Sequence, residues 1–168
     1  EVEYKDGAWK RDETIEAYGK SRDISIEIIA DSQDASLEVQ RKAYQSFQAH
    51  RAEYVQQMPR VFLEEYLFNY EDIESRFEFS KNSPLLKENI NEEVIMQTVA
   101  PLVLLIDKDG NYGWICKCGW TRDRAQAILL SGKEPRILTP DQLRNLHKRN
   151  DDTFGLLVHD CKNAWRGI

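Results

Sequence analysis

Residues 102–130, LVLLIDKDGNYGWICKCGWTRDRAQAILL, decide the fold. Within them Tyr112, Trp114, Cys116, Cys118 and Trp120 alternate with Gly113, Ile115, Lys117 and Gly119, the two-residue period of extended backbone. One face of this strand is heavy and the other nearly bare. Residues 102–106 are apolar throughout, as in a central strand covered on both sides, and Asp109-Gly110 is a turn pair. Residues 124–130 read as the neighbouring strand. The stretch therefore spells a hairpin and a third strand.

Upstream, Ile24, Ile26 and Ile28 alternate with Ser25 and Glu27, and Asp6-Gly7 and Tyr18-Gly19 are turn signals. A meander through residues 2–4, 9–15 and 23–30 follows. From Ser36 the period lengthens: Leu37, Gln40, Tyr44, Phe47, Arg51, Tyr54, Val55 and Met58 recur every three or four residues, one stripe of an amphipathic helix. Ser36 is placed to cap it, and Glu38 complements its positive end. Pro59 lacks a donor and clashes with the preceding turn, so the helix is expected to kink or restart before Phe62, Leu63, Tyr66, Leu67 and Tyr70.

Residues 71–88 read as a loop or lid-like insertion with short local structure. Asn91, with Glu92 and Glu93, opens a short helix reaching Gln97, and Pro101 closes that segment. Thr139, Pro140 and Gln142 form a capping box with proline in the first turn, predicting a helix over 140–149; residues 154–158 fit a last strand. The expected fold is α+β: one domain over 1–168, an antiparallel sheet with a long kinked helix packed on one face.

A chain of 168 residues buries enough surface to fold without metals or disulfides. Its net charge of -6 disfavours nucleic acid and anionic membranes, both of which are gripped by clustered Lys and Arg, and favours a basic protein partner. The longest apolar run, 99–106, falls well short of the ~20 residues that span a bilayer. Cys116 and Cys118 are too close along one strand for a relaxed disulfide, so reduced thiols and a cytoplasmic location are expected. The start at Glu1 leaves room for a removed leader.

Asp107, Asp109 and Asn111 have the oxygen spacing of a calcium loop, but the glycine comes fourth instead of sixth, and Cys118 stands where a bidentate Glu belongs. A hairpin turn explains them. Cys116 and Cys118 with His159 and Cys161 supply four soft ligands, yet their one-residue gaps are not those of zinc sites, and cysteine is a common core residue. Neither a metal nor a cofactor is expected. His50 and His147 lie on charged helix surfaces, and His159 sits in no motif. The pairs Glu64-Glu65 and Asp151-Asp152 do not converge as catalytic carboxylates, because helical neighbours point about 100° apart. The stripe Tyr112, Trp114 and Trp120 packs as core in one reading; exposed, it forms with Asp107 and Asp109 a recognition surface of flat aromatic anchors.

Two segments, 39–47 with Gln40, Ala43 and Tyr44, and 109–120 with Asp109-Gly110, Tyr112-Gly113 and Cys118-Gly119-Trp120, resemble uncharacterised bacterial domains of unknown function. Such domains carry a Gln-x-x-Ala-Tyr helix and then Asp-Gly-x-Tyr-Gly and Cys-x-Trp strands. The resemblance spans about residues 24–143. Some relatives are predicted immunity proteins of toxin systems, which implies a protein-binding role. After Trp120 the family tends to an acidic residue, His and Gly, where this chain has Thr121, Arg122, Asp123 and Arg124.

The expectation is a non-enzymatic bacterial protein-binding domain with an immunity or regulatory role, contacting a basic partner through Asp107, Asp109, Tyr112, Trp114 and Trp120. Its rivals are a hydrolase-like enzyme using His159 or a cysteine in a cleft beside residues 71–88, and a zinc-stabilised module.

Overall fold

The computed structural model describes residues 2–146. Seven strands lie side by side in the order of the sequence: β1 (Val2–Lys5), β2 (Ala8–Ala17), β3 (Lys20–Ile29), β4 (Val99–Ile106), β5 (Tyr112–Cys118), β6 (Ala125–Leu129) and β7 (Arg136–Leu138). β1, β2 and β3 form the expected meander. Its two-residue turns, Asp6-Gly7 and Tyr18-Gly19, have positive φ at all four positions, the backbone that matches the twist of paired strands.

The sheet is mostly antiparallel, which corrects the expectation of a wholly antiparallel one. β3 pairs β4 in parallel, Ser25 beside Val103 through Ile28 beside Ile106. Between them the chain passes through α1 (Glu38–Phe68), α2 (Tyr70–Arg76) and α3 (Glu92–Gln97), a crossover long enough to re-enter the sheet in the same direction. The fold is α+β.

Alternation on the strands sorts residues to two faces. Toward α1 point Ile15, Ile24, Ile26, Leu104, Ile106, Trp114 and Ile128, packed with Ala43, Phe47, Met58, Phe62 and Tyr66 of the helix. Burying each large side chain of this set contributes about 1.5–3 kcal/mol. The opposite face buries Leu105, Ile115, Ala127, Leu129 and Leu138 beneath Leu143 of α4 (Pro140–Arg144). Gly113 lies in β5 where a Cβ would stand 2.3 Å from the carbonyl oxygen of Ile128, so this position admits no side chain, while Ile115 fills the same face two residues on.

Several expectations change. Ser36 does not cap α1: Leu37 is the capping residue and no side chain bonds there, while Gln40 Nε2 donates to the carbonyl oxygen of Ile29 at 3.0 Å and ties the first turn to the sheet. Pro59 does not restart the helix, which runs unbroken from Glu38 to Phe68. Residues 71–88 hold the expected short local structure in α2, with Ile73 fully buried, but the segment is tied down and not lid-like: Tyr66 Oη donates to the carbonyl oxygen of Leu85 at 2.6 Å. A register shift between Pro101 and Val103 leaves Leu102 exposed in an otherwise apolar strand, and β7 is an additional strand.

Two caps form as expected. Asn91 Oδ1 accepts from Val94 N at 2.9 Å at the start of α3. At α4, Thr139 Oγ1 accepts from Gln142 N at 3.1 Å and Gln142 Oε1 from Thr139 N at 2.9 Å. α4 ends at Arg144; the expected continuation over 147–149 and the strand at 154–158 lie outside the described residues.

Candidate functional site

Of the five residues expected to meet a partner, four are buried. Asp107 closes the β4–β5 turn: its Oδ1 accepts from the backbone N–H groups of Asp109 at 2.9 Å and Asn111 at 2.8 Å, and its Oδ2 from Asn111 Nδ2 at 2.9 Å. A carboxylate so fully engaged is a turn organiser. Gly110, with φ of +85°, completes the turn against Val39. Trp114 is sealed under Phe47, edge to face with centroids 5.7 Å apart, and Trp120 stands perpendicular to Tyr66 at 5.4 Å. The indoles belong to the core. Asp109 alone is exposed, and Tyr112, though buried, brings its hydroxyl to a surface cleft.

The thiols of Cys116 and Cys118 face the same core. Burial pushes both up, Cys118 to about 12, so neither is a thiolate near neutral pH. Among the described residues no three His, Cys, Asp or Glu side chains are grouped to hold a metal ion; His147, His159 and Cys161 lie outside those residues. Nor is any helix among them long and apolar enough to cross a membrane.

Two surface features among the described residues bear on function. The first is the end of the molecule built by the last turn of α1 and by α2. Here Phe68 is 72% exposed, Leu67 37% and Phe77 38%. Phe77 stacks on Phe79 with centroids 5.9 Å apart, and the Arg76 guanidinium lies over its ring. Around these side chains residues 64–78 carry six carboxylates against a single arginine, Arg76. Glu71 and Asp72 also complement the positive start of α2, and Asp72 is bound by Arg76 and by Arg122 from the turn after β5. Glu71, Glu74 and Glu78 stand exposed. Thr121 and Arg122, in the segment that departs from the family pattern, thus have local work: Thr121 Oγ1 contacts the carbonyl oxygens of Cys118 and Ala125, and Arg122 clasps α2.

The second feature is a cleft of about 400 Å³ between the middle of α1 and the β6–β7 connection. Ser46, His50 and Tyr54, four residues apart, form one ridge of the helix. Tyr112 Oη lies 3.2 Å from Ser46 Oγ and 2.6 Å from Tyr54 Oη. His50 Nδ1 is 2.9 Å from the carbonyl oxygen of Ser46; a carbonyl only accepts, so this nitrogen carries the proton and Nε2 is left for other partners. Burial, and then its hydrogen bond with Tyr112, raises the Tyr54 phenol above its ordinary range, which keeps that hydroxyl protonated. Glu53, Gln57, Ser131 and Lys133 complete the polar lining.

Sequence reasoning missed both features. Phe68 sits one residue past the apolar Leu67, off the buried stripe, and only that misplacement marks it. The cleft had a partial signal in the spacing of Ser46, His50 and Tyr54; Tyr112 and Lys133 reach it from remote parts of the chain.

Searches of curated proteins and of solved structures return no match. A family model for a domain of unknown function, DUF6985, matches residues 1–134, the whole sheet through β6 together with α1, α2 and α3, and the chain belongs to that family.

Proposed function

We propose that this is a non-enzymatic protein-binding domain which takes a basic partner on the acid-rimmed aromatic end formed by α1 and α2. The exposure of Phe68 carries the proposal: leaving a phenylalanine 72% in water forfeits burial energy, and an exposed aromatic of this kind acts as an anchor when a partner covers it. The surrounding carboxylates choose the partner's sign, attracting Lys- and Arg-rich surfaces and rejecting acidic ones. Residues 39–47 and 109–120 resemble uncharacterised bacterial domains, some of whose relatives are predicted immunity proteins, which supports an immunity or regulatory role, and the reduced thiols Cys116 and Cys118 support a cytoplasmic location.

Photo-crosslinking tests it. A benzophenone amino acid at position 68, compared with the same probe at exposed Asp12 on β2, should trap one recurring basic protein in native lysate at position 68 alone. An identical set of products from both positions, or capture of acidic proteins, would count against the proposal, as would unchanged capture in a Phe77→Ser background.

A further inference from the structure

We propose that the cleft between α1 and the β6–β7 connection binds a small zwitterion of the α-amino acid type, independently of any protein partner. Three observations carry this. The first is a proton count. Ser46, Tyr112 and Tyr54 own three hydroxyl hydrogens, and the contacts at 3.2 Å and 2.6 Å use two. One hydrogen is left without an acceptor among the described residues, and whichever hydroxyl carries it lines the cleft. The chain is therefore a donor awaiting an acceptor, strengthened by the polarisation that linked hydroxyls pass along.

The second is the charge pattern. Lys133 and Glu53 both line the cleft, and neither forms an ion pair among the described residues. Glu53 Oε1 accepts from Gln57 Nε2 at 3.1 Å, one turn on along α1, which fixes the carboxylate without neutralising it. A simple anion would be drawn to Lys133 and repelled by Glu53; a simple cation would meet the reverse. A molecule bearing both an ammonium and a carboxylate satisfies both ends and the hydroxyl donor together. Third, a volume of about 400 Å³ lies in the range of small-ligand sites. The rings of Tyr54 and Tyr112 with Leu130 and Pro135 offer apolar wall to the ligand's body, and His50 Nε2 adds one more polar contact.

The test is a titration of the full chain, followed by NMR, with a panel of free L-amino acids, each beside its N-acetyl and its carboxamide derivative. At least one free amino acid should shift the Tyr54 and Tyr112 ring signals with a Kd of about 1 mM or tighter, and capping either charge should weaken it at least about tenfold. Lys133→Ala and Glu53→Gln, both remote from the core, should each weaken binding by a similar factor while leaving the spectrum of the free protein folded. Silence from every amino acid at about 10 mM overturns the proposal, and so does equal binding of parent and capped derivatives or indifference to both substitutions.

Discussion

The hydroxyl of Tyr18, in the β2–β3 turn, donates to the carbonyl oxygen of Val55 at 3.1 Å, four residues before Pro59. In a regular helix that carbonyl accepts from the N–H at position 59, the group that proline lacks. A side chain from the sheet thus takes over the missing backbone bond, and α1 continues for another nine residues to Phe68. Burial raises the Tyr18 phenol well above its ordinary range, with a smaller effect from Cys116, so the donor keeps its proton.

Tyr18→Phe removes only the hydroxyl and leaves the Val55 carbonyl unpaired under the phenylalanine ring. Stability should fall by about 1–3 kcal/mol in urea unfolding, and adding Pro59→Ala, which restores the helical donor, should recover most of the loss. An unchanged midpoint in the single variant would show the bond to be dispensable.

Gly113→Ala places a methyl against backbone, since a Cβ there would meet the Ile128 carbonyl oxygen at 2.3 Å and Leu129 Cα at 3.1 Å. β5 and β6 would have to separate, at a cost of about 1–3 kcal/mol, readable as a lower thermal midpoint. The equivalent change at Gly119, whose nearest contact would be 3.9 Å, should cost far less.

Cys116 and Cys118 should resist alkylation. In a Cys161→Ser background, iodoacetamide at pH 8 should label neither thiol in the native protein and both after unfolding, because burial holds each in its protonated form, Cys118 up to a pKa of about 12. Rapid native labelling would contradict the burial of this strand.

Asp72 provides the acid response. The hydrogen bond from Arg122 is the largest cause that holds its carboxyl below the usual 3.8; desolvation opposes it, and the charge of Arg122 and the contact with Arg76 add to it. The folded form therefore binds this proton less readily than the unfolded chain. Pairing contributes above pH 3.8 and is lost as pH falls below that, through the depressed value. In carboxyl-detected NMR, Arg122→Ala should move the Asp72 titration upward toward 3.8; an unmoved titration would remove Arg122 as the cause.

The strands of greatest consequence were legible because their side chains obey a strict period. The alternation from Tyr112 to Trp120 predicted a heavy face, and the structure turns that face onto α1. Caps built only from neighbouring side chains, at Asn91 and at Thr139 with Gln142, were equally plain. What escaped depends on distant partners. Nothing near Pro59 signals that Tyr18 will serve Val55, so a break was the reasonable local expectation. Nothing in residues 29–99 announces whether the chain rejoins the sheet parallel or antiparallel. The candidate surfaces escaped for the same reason: Tyr112 meets Ser46 and Tyr54 across 66 and 58 residues, and the exposure of Phe68 is set by what packs around Tyr66 and Tyr70.

The parallel seam between β3 and β4 also imposes an order on synthesis. β1, β2 and β3 can pair as soon as they leave the ribosome, but the outer edge of β3 finds its neighbour only when β4 emerges, about 70 residues after Ile29. At roughly 5–20 residues per second, that edge stays open for on the order of 10 s. Through that interval Ile24 and Ile26 are shielded only by whatever part of α1 has already emerged, which makes the nascent amino-terminal half the stage at which this chain most needs protection from its neighbours.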